Sequence, residues 1–186
     1  MKFVETPLIG AYVISHEPIR DHRGWFARSF CRNEFAKYGL CTEFVQNNTS
    51  YSKTKGTVRG LHFQRTPHEE VKVVSCINGS IFDVIVDNRP NSPTYLQWFS
   101  VELDDKKGDM LYVPKGFAHG YQTLTDDAVV FYLVSAFYHG GFEGGLRWDD
   151  ELLSIHWPIK KGAVISEKDL SISLLDYKEK PCQGLA

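Results

Sequence analysis

The feature that most constrains the fold of this chain is a succession of short apolar runs separated by turn signals. The runs are rich in Val, Ile, Tyr, Phe and Thr, which is typical of strands, and the segments between them carry residues typical of tight turns. The clearest turn signals are Asn78-Gly79, Asn91-Ser92-Pro93, residues 104–108 and Pro114-Lys115-Gly116. Many short strands predict an all-β fold: a jelly-roll β-barrel or sandwich with a few short helices.

Two longer runs indicate how the strands are covered. Residues 81–87 alternate, so Phe82, Val84 and Val86 share one face of a strand and two aspartates take the other. Residues 129–138 are almost entirely apolar or aromatic, which predicts a strand covered on both faces.

Helical periodicity is scarce in this sequence. The best candidate helix covers residues 33–38, with Asn33 as its N-cap and Gly39 as its stop. A second, smaller helix is predicted near residues 166–169, in a more polar C-terminal segment.

Length and charge narrow the class of protein. The chain has 186 residues, 42% of them hydrophobic and 24% charged, which predicts one domain over residues 1–186 with a polar tail from about residue 171. The net charge of −2 supplies no basic field for nucleic acid. The N-terminal residues lack an apolar signal segment, and no run approaches about 18 apolar residues, so neither secretion nor a membrane span is predicted.

The cysteines indicate the compartment. Cys31, Cys41, Cys76 and Cys182 are scattered without a C-x-x-C pair. This spacing is typical of reduced thiols in a cytoplasm, and not of a zinc site or a small disulfide scaffold.

Residues 108–119 have the form G-x5-P-x-G-x2-H, which resembles the second sequence motif of the cupin superfamily. In that motif the histidine, here His119, points into a barrel. The first cupin motif contains H-x-H, whereas this chain has His62-Phe63-Gln64. Because metal sites normally take three or four N, O or S ligands, two histidines and a glutamine are a poor set. The residues therefore favour a cupin-like barrel without a metal.

Residues 56–64, G-T-V-R-G-L-H-F-Q, place two polar side chains in an apolar strand pattern. Because strand residues alternate, Arg59 shares a face with Leu61, and His62 takes the opposite face. A bulge near the glycines would turn Arg59 and His62 toward one cavity, and the residues alone leave this question open.

Much of the chain, from about residue 8 to about residue 170, resembles the dTDP-4-dehydrorhamnose 3,5-epimerase family of nucleotide-sugar enzymes. Two pieces together make the resemblance specific: R-G-L-H-F-Q at residues 59–64 and P-x-G-F-A-H-G at residues 114–120. Further matching pieces are residues 21–26, 44–48, 83–87 and 92–94, Lys72, Tyr132, residues 148–150, Trp157-Pro158 and residues 166–169.

The resemblance implies a cytoplasmic, homodimeric isomerase that uses no metal and no organic cofactor. Its substrate would be a nucleotide-linked 4-keto-6-deoxy hexose, inverted at C3, C5 or both, as in the biosynthesis of dTDP-rhamnose and cell-surface polysaccharides. It implies His62 as the catalytic base, with Asp169 as its buried partner. It also implies Tyr132 as the acid on the opposite face of the sugar and Lys72 near the 4-keto oxygen. The implied substrate-binding residues are Arg23 and Arg59 at the diphosphate, with Phe26, Gln46, Asn48, His119, Tyr138 and Glu143.

These residue types suit the implied reaction. A 4-keto group acidifies the protons on C3 and C5, because loss of either proton gives an enolate delocalised onto O4. Inversion requires two proton-transfer groups on opposite faces of the sugar. Histidine suits the base because its unperturbed pKa, about 6.5, lies near neutral pH. Arginine offers diphosphate a planar, permanently charged fork.

Four of the proposed site residues also have simple structural interpretations. Asp169 could belong to a helix cap, and Tyr132 could pack in its apolar run. His119 could be a hydrogen-bonded barrel histidine, and Arg23 a turn arginine.

Several positions depart from the family pattern. Arg28 stands where many members carry Glu, and one extra residue lies between Gln46 and Arg59. These departures leave open a CDP- or GDP-linked substrate and inversion of a single carbon. More distant alternatives are a metal-dependent cupin, a sugar ketoisomerase and a non-catalytic sugar-binding jelly roll.

Overall fold

A computed structural model describes residues 1–176 of the chain. Residues 177–186, which include Cys182 and most of the predicted polar tail, lie outside the described residues. Within residues 1–176 the chain forms thirteen strands, two short α-helices and one 3₁₀ turn. The strands are β1 (Lys2–Glu5), β2 (Tyr12–Ser15), β3 (Ile19–Asp21), β4 (Gly24–Phe26), β5 (Gln46–Ser52), β6 (Val58–Gln64), β7 (Lys72–Asn78), β8 (Ser80–Asp87), β9 (Trp98–Asp104), β10 (Met110–Val113), β11 (Phe117–Thr123), β12 (Ala128–Val134) and β13 (Glu143–Gly145); the helices are α1 (Arg32–Lys37) and α2 (Glu167–Leu170), and the 3₁₀ turn is Gly140–Phe142.

Two antiparallel sheets form the body of the molecule. The six-stranded sheet has the order β1-β2-β10-β7-β12-β5 and the five-stranded sheet the order β13-β6-β11-β8-β9, while β3 and β4 form a separate hairpin. The main core lies between the sheets, where Val74 and Val130 of the first pack in one cluster with Ile85 and Leu103 of the second. This arrangement confirms the predicted all-β, jelly-roll fold.

The outer face of the five-stranded sheet is also covered. Val84 and Val86 of β8 lie in a second apolar cluster with Trp157, and Phe82 packs against the same cluster. Ile85, at the opposite strand parity, lies in the main core. The predicted strand faces are therefore confirmed, and both faces of β8 are buried.

Helix α1 covers the outer face of the six-stranded sheet, where Phe35 is fully buried in a third cluster. The predicted N-cap was wrong, because Cys31 is the N-cap and no side chain caps the helix there. Asn33 lies inside the first turn of the helix. The predicted stop is confirmed, since Gly39 follows the helix with φ of 67°, which favours glycine.

The apolar run at residues 129–138 is a strand only as far as Val134. Val134 pairs with Gln46 and Lys72, which are the first residues of the two antiparallel neighbours β5 and β7. Beyond this point Phe137 and Tyr138 are exposed. The prediction of a covered strand over the whole run was therefore too long at its C-terminal end.

The second predicted helix is confirmed as α2, which follows the N-cap residue Ser166. The Asp169 backbone N–H donates to the Ser166 hydroxyl at 3.1 Å. None of the helices in the described part of the chain is long and apolar enough to cross a membrane.

Candidate active site

A bulge in β6 answers the question of strand parity. His62 pairs with His119 of β11, and Arg59 pairs with Tyr121, with a register shift between the two pairs. Two residues of β6 therefore lie opposite one residue of β11. Because His119 and Tyr121 share a face of their strand, Arg59 and His62 point to the same side.

Glycines make this bulge possible. Gly60 has φ of 108°, a conformation that L side chains rarely adopt. A Cβ atom at Gly60 would lie 2.6 Å from the His119 carbonyl oxygen, and one at Gly120 would lie 2.6 Å from the Arg59 carbonyl oxygen. The close backbone approach at Gly60 and Gly120 thus places Arg59 and His62 in one cavity.

Two adjoining cavities, of about 510 Å³ and about 410 Å³, form what we call the cleft. Both are lined by His62, Lys72 and Tyr132. The larger is also lined by Ser50, Thr57, Val58, Arg59, His119, Tyr121, Val164, Ile165, Ser166, Lys168 and Asp169, and the smaller by Gln46, Asn48, Phe63, Gln64, Glu70, Val134, Tyr138 and Glu143.

A third cavity, of about 570 Å³, lies on the far side of Gln64. Its arginine, Arg89, is partly exposed; the guanidinium is held by two hydrogen bonds to Asp87 and lies over the Phe117 ring. None of the predicted catalytic residues lines this cavity; all four of them line the cleft.

His62 and Asp169 form a hydrogen-bonded pair in the cleft. The His62 Nε2 and Asp169 Oδ1 atoms lie 2.7 Å apart, and Asp169 Oδ2 accepts from the Gly60 N–H at 3.2 Å. The His62 side chain is 31% exposed, whereas that of Asp169 is 5% exposed. Burial opposes ionisation of Asp169, but the hydrogen bonds from His62, Gly60 and Ser166 outweigh it and lower the pKa of the carboxyl. An ionised Asp169 holds Nε2 of His62 protonated, so Nδ1 of a neutral ring carries the lone pair.

His119 and Asp83 form a second pair of the same geometry. Their Nε2 and Oδ1 atoms lie 2.7 Å apart, and the side chains are 8% and 0% exposed. The other carboxylate oxygen, Asp83 Oδ2, is buried without a hydrogen-bond partner among the described residues. His119 therefore matches the structural interpretation of a hydrogen-bonded barrel histidine, while one edge of it lines the cleft.

Tyr132 and Lys72 stand on the wall opposite His62. They belong to β12 and β7 of the six-stranded sheet, whereas His62 belongs to the five-stranded sheet. Burial is the first cause that raises the pKa of Tyr132; Tyr121 and Glu70 raise it further, and Arg59 lowers it. Within the described residues, the Tyr132 hydroxyl makes no hydrogen bond. The protonated phenol of Tyr132 therefore lies across the cleft from the imidazole of His62.

Arg59 is fixed at one end of the cleft. Its Nε donates to the Ser52 hydroxyl at 3.1 Å and its Nη2 donates to the Tyr51 carbonyl oxygen at 3.0 Å. These bonds leave the remaining N–H groups of the guanidinium free to bind an anion.

The other end of the cleft carries a polar network centred on Glu143. Lys168 Nζ lies 2.7 and 2.8 Å from the two carboxylate oxygens of Glu143, and the Tyr138 hydroxyl donates to the same group at 3.0 Å. The Gln46 side-chain oxygen accepts from the Tyr138 N–H at 2.9 Å. Asn48 lines the same cavity.

Arg23 and Phe26 do not line the cleft of the single chain. They belong to the exposed β3–β4 hairpin, where Arg23 pairs with Asp21 at 2.6 Å in a turn and Phe26 is 70% exposed. Their substrate-binding role stays a prediction. Arg28 lies nearby and forms an ion pair with Glu34 at 3.3 Å.

Two charged residues of the cleft, Glu70 and Lys168, were not predicted from the sequence. The signal for Glu70 is its position two residues before Lys72, which places both on one face of an extended chain. Lys168 is adjacent in sequence to Asp169, and a four-residue helix turns its side chain toward Glu143.

The Gln64 side chain, in the first cupin-like motif, is held by backbone groups. Its amide donates to the His68 carbonyl oxygen at 3.0 Å and accepts from the His139 N–H at 2.6 Å. Across residues 1–176, His, Cys, Asp and Glu side chains form no group of three that could hold a metal ion.

Known proteins resemble this chain over nearly its whole length. A family model described as dTDP-4-dehydrorhamnose 3,5-epimerase matches residues 5–176. A dTDP-4-dehydrorhamnose 3,5-epimerase of Sinorhizobium fredii is 43% identical over 171 residues, which cover 92% of this chain and 88% of that protein.

Solved structures agree with the sequence relatives. The crystal structure of dTDP-4-dehydrorhamnose 3,5-epimerase from Bacillus anthracis, with TDP and PPi bound, has a TM-score of 0.90 and 39% identity, covering 94% of this chain and 99% of that one. An epimerase from Legionella pneumophila in complex with dTDP-4-keto-L-rhamnose has a TM-score of 0.88 and 34% identity, covering 97% of each chain.

Proposed function

The chain belongs to the dTDP-4-dehydrorhamnose 3,5-epimerase family, and from this membership we propose that its cleft inverts C3 and C5 of a dTDP-linked 4-keto-6-deoxy hexose. The protein is an isomerase of nucleotide sugars. The single observation that carries the mechanism is the placement of His62 and Tyr132 on opposite walls of one cleft. A base and an acid on opposite faces of a sugar are what inversion of a carbon acid requires.

His62 is the base in this mechanism. Its neutral imidazole removes the proton from C3 or C5, because the adjacent 4-keto group makes those protons acidic. The imidazolium that forms is stabilised by the ionised carboxylate of Asp169 at 2.7 Å, which also orients the ring.

Tyr132 is the acid that returns a proton from the other face. Its raised pKa keeps the phenol protonated at neutral pH, and the enolate carbon is a strong enough base to take that proton. The two proton transfers on opposite faces invert the stereocentre.

The developing negative charge on O4 is stabilised by Lys72, which lines the cleft beside Tyr132. Loss of a donor at such a position commonly costs about 3–4 kcal/mol in transition-state stabilisation. The diphosphate of the substrate binds Arg59, whose guanidinium is already fixed by Ser52 and Tyr51.

We infer that the enzyme works as a homodimer in the cytoplasm. Support for a second subunit comes from the exposed apolar side chains Ile19, Trp25 and Phe26 of the hairpin and Val4 of the edge strand β1. Support for the compartment comes from Cys31, Cys41 and Cys76, which are all free thiols. Light scattering on the purified protein tests the dimer.

Deuterium exchange tests the proposed reaction. In D2O, the enzyme with a dTDP-linked 4-keto-6-deoxy glucose should place deuterium at C3 and C5 and yield the inverted sugar, as followed by NMR. Tyr132→Phe should still exchange deuterium but lower the rate of inversion by about 100-fold, because only the acid is lost. The matched control is Tyr51→Phe, which alters an exposed tyrosine on β5.

The result that contradicts the proposal is an absence of exchange with dTDP-, CDP- and GDP-linked 4-keto sugars alike. Exchange confined to C3 or to C5 would instead identify a single-carbon epimerase. Preferential turnover of a CDP- or GDP-linked sugar would overturn the proposed nucleotide.

A further inference from the structure

Lys72 does not stand alone in the cleft. Its Nζ lies 3.1 Å from Glu70 Oε1, and the two side chains are only 11% and 13% exposed. The backbone extends the β7 ladder past its first residue: the Val71 N–H donates to the Ser135 hydroxyl and the Ser135 N–H donates to the Val71 carbonyl oxygen. Glu70 and Lys72 therefore lie on the same face of an extended segment, and this face lines the cleft.

A buried glutamine holds Glu70 in place. Gln64 Nε2 donates to Glu70 Oε2 at 3.2 Å and to the His68 carbonyl oxygen at 3.0 Å, and Gln64 is 4% exposed. Gln64 occupies the position of the second histidine in the cupin H-x-H motif. The carboxylate of Glu70 is thus fixed on one side by an amide and on the other by the Lys72 ammonium.

This arrangement resolves a conflict in the electrostatics of the reaction. A cation that stabilises an enolate also stabilises any other nearby anion, including the phenolate of Tyr132. Arg59 lowers the pKa of Tyr132, and such a cation acting alone would favour loss of the phenol proton before the enolate forms. The fixed carboxylate of Glu70, which lines the same cavity as Tyr132, acts in the opposite direction.

We propose that Glu70 is a positioning residue of the epimerase, which holds the Lys72 ammonium against the substrate and offsets the cationic field at the Tyr132 hydroxyl. The inference deepens the proposed function and rests on it for the roles of Lys72 and Tyr132. Glu70 itself needs no contact with the substrate.

The charge balance around Tyr132 supports this role. Glu70 raises the pKa of Tyr132, after burial and Tyr121, and Arg59 lowers it. Several other ionisable groups line the cleft with Tyr132. They are Arg59 and His62 of β6, Lys72 of β7, His119 and Tyr121 of β11, Tyr138, Glu143 of β13, Lys168 and Asp169 of α2, and Glu70 itself.

Glu70→Gln is the direct test, because it removes the charge and keeps an oxygen that can accept from Gln64. The matched control is Glu69→Gln, an identical change at the adjacent residue, which lines the other cavity and not the cleft. With ¹³C-labelled tyrosine and Tyr132→Phe for assignment, NMR measures the pKa of Tyr132 in the free enzyme. We expect a lower pKa in Glu70→Gln than in the wild type and no change in Glu69→Gln.

Turnover reports the positioning of Lys72. We expect kcat of Glu70→Gln to fall by roughly 10- to 100-fold with KM changed less, because a displaced catalytic group loses its alignment with the reacting atoms. The basic limb of the pH–rate profile should move to lower pH, since Tyr132 must stay protonated to act. Glu70→Asp keeps the charge but withdraws it from Lys72, so it should lower kcat while largely preserving the pKa of Tyr132.

An unchanged Tyr132 pKa in Glu70→Gln, or a kcat equal to that of Glu69→Gln, would overturn the proposal. The NMR titration needs no substrate. If the wild-type enzyme showed no deuterium exchange while the Tyr132 pKa still fell in Glu70→Gln, the proposed function would fail and the electrostatic role of Glu70 would stand.

Discussion

The two histidine–aspartate pairs of the cleft have the same hydrogen-bond length but different surroundings. In each pair Nε2 lies 2.7 Å from a carboxylate oxygen. His62 is partly exposed, and its partner Asp169 comes from α2, more than a hundred residues along the chain. His119 and Asp83 come from adjacent strands and are almost fully buried.

The difference teaches that access to the cleft, and not the hydrogen bond alone, separates the proposed catalytic pair from a structural one. The His62 side chain is 31% exposed, so its imidazole can contact both a bound substrate and solvent. The buried pair, whose second oxygen Asp83 Oδ2 lacks a partner among the described residues, is suited to hold strands β8 and β11 and to present one fixed edge of His119 to the cleft. The first pair should therefore matter for rate and the second for stability.

The largest expected effect is on catalysis, at the partly exposed His62–Asp169 pair. His62→Asn should lower the rate of deuterium exchange by about 1,000-fold or more, since it removes the proposed base. His156→Asn is the matched control, because His156 lines a separate cavity with Trp148 and Trp157. Exchange by His62→Asn within a factor of a few of the control would break the assignment of the base.

The next effect is on stability at the buried pair. His119→Asn should lower the free energy of unfolding by about 3 kcal/mol, because it leaves the Asp83 carboxylate buried without its partner. His62→Asn should cost only about 1 kcal/mol, since water can reach that site. Urea unfolding of both variants measures the contrast. Equal losses of stability would show that burial does not separate the two pairs.

The sequence was sufficient for the fold class. Alternation at residues 81–87 and the turn residues between strands are local signals, so the all-β fold could be predicted from them. The shared cavity of Arg59 and His62 could not be predicted, because it depends on a bulge set by the contact of Gly60 with Gly120 of another strand. Likewise, the stop of β12 at Val134 depends on where its two neighbours end.

The hardest property to predict was which of the two histidines is buried. His119 and His62 each occur in a motif of the family, and neither motif indicates the burial of its histidine. The network of Gln64, Glu70 and Lys72 joins residues close in sequence, but only the folded chain shows that an amide and an ammonium hold the same carboxylate. Contacts across the sheets therefore carry the information that local pattern lacks.

The smallest expected effect is on the pH dependence of folding stability at the His62–Asp169 pair. The pKa of Asp169 is lowered in the folded protein, so the ionised carboxylate stabilises the fold above its unfolded pKa, and this contribution is lost as pH falls through the folded value. Asp169→Asn should therefore be less stable than the wild type at pH 7, by about 1.5 kcal/mol, and the difference should shrink as the pH is lowered below the unfolded pKa of about 4. Denaturant unfolding across this range measures the difference, with the exposed Asp149→Asn as a control that should cost less than about 1 kcal/mol. A stability difference that stays constant or grows toward acid pH would show that the hydrogen bonds from His62 and Gly60 do not favour the ionised carboxylate. The distinction between the partly exposed His62–Asp169 pair and the buried His119–Asp83 pair would then lose its electrostatic basis.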